Sequence, residues 1–525
     1  MTAVTGQPVL APGAARRVFY LLMVTRWFPV GLVVGVMILL VTGRGLTIAQ
    51  AATAMAVTGV VTFVLELPTG GLADALGRRP VYLASALVGV VAGFGYALAQ
   101  SFWAFVLAGV LTGVFRALDS GPLEAWLVDT IHESEPGADV DQPLAKAGTI
   151  VGVAIAAGAV ASGGIIWWHP VTSVFGHPLS AIDGAVWVFA LLNVVHLVVA
   201  WALIRERPRG EHSGPVAAVR ASVREAPAVM GGGLRLLRYS PVLLGLVLAE
   251  TFWSVGMVTF ESLMPLRLEE ILGSAQRAGA LIGPVAAGAW GLFAAGAALA
   301  GVASKRIGVA RAAILARGLN AAGAVVMGLV AGPVALVVAY LFTYSTHGMN
   351  GPPHAALLHR VATSGNLTVV LSMNSMMAFL AFAIAAPLLG ALADAVSIQH
   401  AMVVAGAVSI VGILGYVPAP VPNAPDRRPS PARDRQDVRR GVVGERRRGA
   451  VPRHGELVVR TVRHAALPVV LRPGQAVGDL DLVRPGGDQR GAERVGPVAV
   501  WVLEPGTHAV RAPVPAAQSA LERAG

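Results

Sequence analysis

The sequence predicts an all-α integral membrane protein with twelve transmembrane helices, arranged as two six-helix pseudo-repeats. Three observations lead there. Of 525 residues, 55% are hydrophobic and only 13% charged, with a mean hydropathy of +0.67; a soluble domain is about 25% charged. Apolar runs recur at about 20 residues, the length that crosses ~30 Å of hydrocarbon as a helix. The third observation is a duplication. Gly70-Gly-Leu-Ala-Asp74-Ala-Leu-Gly77-Arg78-Arg79 follows one apolar run, and Gly301-Val-Ala-Ser-Lys305-Arg306-Ile-Gly308 follows another about 231 residues later. Ser120-Gly121-Pro122-Leu-Glu124-Ala125-Trp-Leu127 matches Asn350-Gly351-Pro352-Pro-His354-Ala355-Ala-Leu357 without gaps, about 230 residues on. Parallel repeats of this kind point to a carrier whose substrate site lies between the halves.

The runs place spans at 18–42, 48–73, 80–99, 103–128, 145–167 and 184–204 in the first half. In the second half they place spans at 241–263, 279–303, 309–330, 333–358, 367–392 and 398–417. The run after Arg16 and Arg17 is too long for a signal-peptide core and reads as a retained first span. Trp103, Trp167 and Trp168 fall at span ends, where an interfacial aromatic belt belongs. With the N-terminus inside, the inner segments hold sixteen Arg and Lys; the outer loops hold three, Arg44, Arg267 and Arg277. The asymmetry places both termini in the cytoplasm. The expected organisation is a short N-terminus (1–17), a first half (18–204), a linker (205–240), a second half (241–418) and a tail (419–525). Arg220, Arg224, Arg235 and Arg238 suit either an amphipathic helix on anionic lipid or a solvated linker.

Net charge is +11, and the tail from Pro422 carries 18 Arg against 11 Asp and Glu. The basic balance is thus mostly a tail property and no nucleic-acid signature. The tail has no sustained period and is expected to be disordered; binding to anionic lipid and a shifted reading frame are both open for it. There is no Cys, which excludes disulfides, thiolate metal sites and Cys nucleophiles. No phosphate-binding loop of the ATPase type and no metal-ligand spacing occurs, so no cofactor, no metal and no enzymatic activity are expected.

Gly-x-x-x-Asp-x-x-Gly-Arg-Arg between spans 2 and 3 resembles the signature of the major facilitator superfamily. The span count, the repeat and the long central linker fit that family over residues 16–418, and Glu66-Leu-Pro68-Thr69-Gly70 is similar to the lead-in of bacterial efflux-type members. The resemblance implies a secondary transporter of a bacterial inner membrane, usually monomeric. It also implies a conformational latch of Gly70, Asp74, Gly77, Arg78, Arg79 and Asp129 that ties the inner helix ends in the outward-facing state. The other reading of Arg78 and Arg79 is purely topogenic. The sequence departs from the family where Ala75 replaces a basic residue and Lys305 replaces the second Asp. Arg116 and Gly121 are five apart instead of four, and Gly148 and Gly152 lack the Pro of the antiporter pattern.

Ionisable groups inside spans are costly, and by default they face the bundle interior and mark substrate or proton paths. Arg26 and Glu250 lie about nine residues into spans 1 and 7, roughly 14 Å deep; Arg116 and His347 lie about fourteen residues into spans 4 and 10, near the midplane. In this fold spans 1, 4, 7 and 10 line the central cavity. Arg116 and Asp119 share a helix face and can neutralise each other. Glu250 has no basic partner on its own helix; it is either protonated or paired across helices with Arg26 or Arg116. It is the first candidate proton carrier and Asp119 the second. His347 can titrate near neutral pH, or it is a satisfied histidine bonded to Asn350 or to backbone. Glu66 and Glu124 lie nearer the inner ends, where they can pair with Arg78, Arg79 or Lys146, and read as structural. Glu124 and His354 occupy equivalent repeat positions, so symmetric packing explains both, and Asn374 can offer polar contacts or bond across helices. Trp27, Phe28, Trp126, Phe252, Trp253 and Phe260 lie near these charges, and an aromatic cavity with few charges suits amphiphilic or cationic drug-like compounds. The expected partners are therefore a small-molecule substrate, protons and membrane lipid. Proton-coupled export, with Glu250, Arg116 and Asp119 in coupling and Arg26 assisting, is the leading expectation. An uptake symporter or facilitator, and a non-transporting sensor or scaffold of the same fold, stay open.

Overall fold

The computed structural model describes residues 10–69, 72–174, 177–206, 224, 231–233, 235–362, 366–418, 501–502 and 510–511. Two compact units contain residues 1–423 and 424–525. In the second, the described residues form one antiparallel pair, Trp501–Val502 with Val510–Arg511. The rest of the tail lies outside the described residues, and so do the expectations made for it. Of the linker Arg residues, Arg220 lies outside them, while Arg224, Arg235 and Arg238 are helical and exposed, with Leu237 between the last two buried.

The first unit is helical. Its first part holds α1 (Pro12–Val33), α2 (Met37–Gly43), α3 (Ile48–Thr69), α4 (Leu72–Leu76), α5 (Arg78–Leu98), α6 (Phe102–Asp119), α7 (Pro122–Ser134), α8 (Asp141–Trp168) and α9 (Ala181–Leu203). Its second part holds α10 (Pro241–Val258), a π-helical turn (Thr259–Leu263), α11 (Met264–Leu272) and α12 (Ala275–Ile307). There follow α13 (Val309–Leu329), α14 (Pro333–Val361), α15 (Leu367–Ala395), α16 (Ile398–Val411) and a closing 3₁₀ turn (Gly412–Tyr416). A two-residue ladder, Ser173–Val174 with His177–Pro178, decorates the loop before α9.

Among the described residues, ten helical segments are long and apolar enough to cross a membrane, and the bent pair α1–α2 makes eleven. The remaining expected span is α14, 29 residues long. Its polar stretch from Tyr340 to His354 keeps it out of that group. Breaks fall where the backbone leaves helical space. The α1–α2 pair bends by 42°, around Gly35 at φ +75°. The expected fourth span is divided at Gly121, φ +93°, into α6 and α7. In the second copy of that segment the helix runs on, with Pro352 and Pro353 inside α14. The other duplicated loop folds alike in both copies: Gly77 has φ 97°, ψ 156° and Gly308 has φ 86°, ψ 153°. Only Gly takes this conformation without strain.

Glycines also let backbones touch. A Cβ on Gly158 of α8 would overlap the Phe28 carbonyl of α1, and one on Gly283 of α12 would overlap the Ala159 carbonyl of α8. Such small-residue contacts drive helix association where lipid tails are as apolar as the side chains.

We call the end of the bundle at which α1 begins the near end, and the opposite one the far end. The buried apolar residues form three clusters. One occupies the far end and draws on both parts of the chain, from Val36 and Ala51 to Ile282, Leu389 and Met402. The other two lie at the near end and stay separate: one holds Phe19, Leu127 and Ile204, the other Leu246, Leu358 and Tyr416. The helices therefore join the two parts at the far end and not through the near-end cores. A polar tie reinforces the joint. Both carboxylate oxygens of Asp394, at the end of α15, accept from the first amides of α3, Ile48 N at 2.9 Å and Ala49 N at 2.8 Å. Nearby, Arg44 donates to Tyr96 O (3.0 Å), Ala97 O (2.9 Å) and Asp183 Oδ1 (2.7 Å), closing the end of α5 onto the start of α9.

Loss of a helix-capping carboxylate costs about 1 kcal/mol, roughly a fivefold change in a two-state ratio. Asp394→Ala is therefore expected to shift the far end toward separation by about that factor. Double electron–electron resonance between labels at Thr47→Cys and Val396→Cys should show a new, longer distance. An unchanged distribution would mean that helix packing alone holds the joint.

Candidate substrate and proton-coupling site

The first polar knot belongs to α1, α5, α6 and α9. Arg26 Nε of α1 donates to Asp119 Oδ2, the last residue of α6, at 2.8 Å. The guanidinium lies over the Phe115 ring at 4.1 Å and the Trp27 ring at 4.9 Å. Its charge is thus met by one carboxylate and two π faces. Asp119 takes this partner rather than Arg116, three residues away. A turn of helix brings Arg116 alongside, but the interior position of Arg26 offers a less hydrated charge. Arg116 is exposed on the wall of a pocket of about 300 Å³ that Arg26, Asp119, Glu124, Tyr82 and Trp27 also line, with Phe379 of α15 reaching in from the other part of the chain. Among the described residues Glu124 makes no ion pair; it faces this pocket instead of holding Arg78, Arg79 or Lys146. Behind the pocket, His196 of α9 bonds Thr25 Oγ1 through Nδ1 (2.9 Å) and Tyr82 Oη through Nε2 (3.1 Å).

The second knot is built from α10, α13, α14, α15 and the closing 3₁₀ turn. Glu250 accepts from Arg317 Nη2 of α13. Neither Arg26 nor Arg116 is its partner, because both lie in the first part of the chain, where Arg26 already pairs with Asp119. Arg317 Nε donates to Tyr416 Oη at 3.0 Å. Arg can only donate, so Tyr416 directs its own proton to His354 Nδ1, 2.9 Å away. That fixes the neutral His354 tautomer with its proton on Nε2. From there it donates to Asn374 Oδ1 at 3.0 Å and lies 3.4 Å from Glu250 Oε2. The Arg317 guanidinium lies 4.5 Å over the Trp253 ring, and Trp253 Nε1 donates to Asn320 Oδ1 at 3.0 Å.

Arg317, His354, Asn374 and Tyr416 are thus as central as Glu250. His354 and Asn374 read from sequence as structural, and Arg317 and Tyr416 were not singled out. The signal for Arg317 was present: it is an Arg eight residues into an apolar run, subject to the same cost as Arg26. His347 and Asn350 do not bond each other. Among the described residues, His347 Nδ1 and both amide atoms of Asn350 have no hydrogen-bond partner. His347 instead stacks on Trp253 at 5.1 Å and 15°, and it touches Phe260 and Phe293. Of the other aromatics, Trp126 is structural, donating to Arg205 O at 3.0 Å.

At the near end, Arg78 Nε lies 3.3 Å from Asp129 Oδ2. A residue missed in the sequence, Glu206, accepts from the backbone amides of Arg78 (2.9 Å) and Arg79 (2.7 Å) at the start of α5. Arg79 Nη2 donates to Trp201 O at 3.0 Å. All these groups belong to the first part of the chain. Gly70 and the side chains of Asp74 and Glu66 lie outside the described residues.

Removing one partner of a buried ion pair leaves the other charge stranded, at a cost of about 3–5 kcal/mol. Arg317→Ala is expected to destabilise the protein by that order, and adding Glu250→Gln should recover most of the loss. Thermal unfolding of the purified variants in detergent, arranged as a double-mutant cycle, measures both. Additive losses would show that the pair is not coupled.

The comparisons agree with this architecture. The crystal structure of the nucleoside transporter NupG superposes with a TM-score of 0.59 at 12% identity, covering 77% of this chain and 98% of that one. A POT family transporter crystallised with 5-aminolevulinic acid superposes at 0.56 with 15% identity, covering 78% and 96%. At such identities the likeness is one of fold. No curated protein matches the sequence. The Major Facilitator Superfamily profile matches residues 19–362 and again 285–475. With that match over most of its length, and with the described helices packed as in solved transporters of this architecture, the chain belongs to the Major Facilitator Superfamily.

Proposed function

We propose that this protein is a proton-coupled exporter of small amphiphilic, drug-like compounds, working by alternating access in a bacterial inner membrane. The observation that carries the reading is the pair of buried ion pairs, Arg26–Asp119 and Glu250–Arg317, one in each part of the chain. The first of them lines a partly aromatic pocket. The near end bears Arg16, Arg17, Arg78, Arg79 and Arg306, so it is assigned to the cytoplasm. The arrangement is then inward-facing, with the far end closed. Substrate enters the pocket from the cytoplasm and meets Trp27 and Phe379 on its apolar sides and Asp119 and Glu124 on its polar side. A proton arriving at Glu250 neutralises the carboxylate, and Arg317 keeps its bond to Tyr416. His354, whose Nε2–H faces both Glu250 and Asn374, donates to Asn374 and takes no proton from Glu250. Repacking of these bonds is the differential interaction that an outward–inward equilibrium needs.

An uptake carrier is the second reading. It is favoured by one feature, the presence of both signs of charge on the pocket wall (Arg26 and Arg116 against Asp119 and Glu124), which suits a polar or zwitterionic solute.

In energised inverted vesicles containing the full chain, adding ethidium or tetraphenylphosphonium should release protons from the lumen, read with a pH dye. Glu250→Gln should abolish the release while the protein still inserts and folds. Release that persists in Glu250→Gln would remove Glu250 from coupling. Silence across a broad panel of lipophilic cations would favour uptake.

A further inference from the structure

A second carboxyl on the same span has a different environment from Glu250. Glu261 sits at the centre of the π-helical turn Thr259–Leu263, eleven residues beyond Glu250 and therefore about 16 Å nearer the far end. Turns of this kind are rare and cluster at functional sites. Here the turn aims Glu261 at α14, where Tyr344 Oη donates to its Oε1 at 2.7 Å. Tyr344 is 1% exposed and packs edge-on against Phe260 and Trp290, at 5.7 Å each. These rings belong to, or pack on, the far-end cluster that joins the two parts of the chain.

No Lys, Arg or His among the described residues forms an ion pair with Glu261. The charged and titratable groups on the neighbouring helices form no ion pair with it. Glu250 of α10 pairs with Arg317 of α13. In α11, Arg267 pairs with Glu270 at 2.8 Å, and Glu269 lies two turns further toward the far end. His400 of α16 bonds Ser397 at 2.7 Å. From α14 come Tyr340 and Tyr344 (rings 5.1 Å apart) and His347, whose ring lies 5.5 Å from Tyr344. Glu261 is half-buried, nothing cationic offsets a negative charge on it while the far end is closed, and a carboxylate without a counter-charge inside a membrane span is costly. Separation of the far end would admit water and remove that cost.

We propose that Glu261 is a second proton-binding residue, one that must hold a proton for the far end to close. The inference rests on alternating access and on the assignment of the far end to the outside, but not on the role given to Glu250. It makes closure itself proton-linked: Glu261 ionises when the outer face opens and takes a proton from the external medium before it can close. His347, in ring contact with both Tyr344 and Trp253, lies between this site and the Glu250–Arg317 pair.

The chain has no Cys, so a single introduced thiol reports alone. Ala52→Cys places it in the far-end cluster, and Gln50→Cys gives an exposed control. In proteoliposomes of the full chain, labelling by an impermeant maleimide is measured as the ratio of the two sites, which cancels the thiol's own pH dependence. The ratio should rise severalfold as external pH goes from about 5 to about 9, following a one-proton linkage. Glu261→Gln, and Glu261→Met as a second stand-in for the neutral acid, should hold it low and flat. Glu250→Gln should leave the rise intact, which separates this inference from the proposed coupling role of Glu250. A wild-type ratio that does not change with pH would overturn the inference, and so would an unaltered rise in a folded Glu261→Gln or Glu261→Met protein.

Discussion

Hydrocarbon supplies no water to a charge, so every ionised side chain at depth must find its counter-charge within the protein. Here the constraint is met across the bundle and not between packed neighbours. Arg26–Asp119 bridges α1, which packs on α8 and α9, to the end of α6; Glu250–Arg317 bridges α10 to α13, which touch little otherwise. The aromatic rings under both guanidiniums, Phe115 and Trp253, spread the positive charge over a polarisable face. The two knots are repeat-related in plan. Thr25, Tyr82 and His196 link the first, third and sixth crossings; Glu250, Arg317 and Tyr416 link their counterparts. In the first part that link is neutral and the ion pair sits beside the pocket. In the second the charges are inside the link itself.

Backbone contact between small residues does the rest. Where Gly158, Gly163 and Gly283 bring α1, α8 and α12 together, the far end closes. At the near end the apolar clusters remain two. The motif loop before α5 sits in that divided region, and its described bonds, Arg78 to Asp129 and the α5 amides to Glu206, stay within the first part of the chain. The tie between the parts is Asp394 on the start of α3, at the opposite end. Alternating access requires contacts of this kind at one end to form as those at the other dissolve.

Membrane class, helix positions and the duplication were legible in the sequence because each depends on local properties. Apolar run length, Gly at a turn that needs positive φ and Arg density in loops can all be counted along a chain. Gly77 and Gly308, 231 residues apart, take the same unusual conformation because each ends the same local pattern. Arg26, Asp119, Glu250, His347 and Asn350 were legible as polar groups within membrane spans for the same reason: hydropathy reports depth.

Partnership was not legible. Asp119 is three residues from Arg116, yet it bonds Arg26, 93 residues away. Glu250 bonds Arg317, 67 residues away, and His354 completes a network with Asn374 and Tyr416 that no spacing announces. A helix carries a side chain at known depth, but its rotation about its own axis is set by packing against other helices, and a π turn such as Thr259–Leu263 resets that rotation partway along. The sequence by itself determined that these charges lie in the membrane. Only the tertiary structure decided which of them meet, because facing is a property of the packed bundle and not of any one helix.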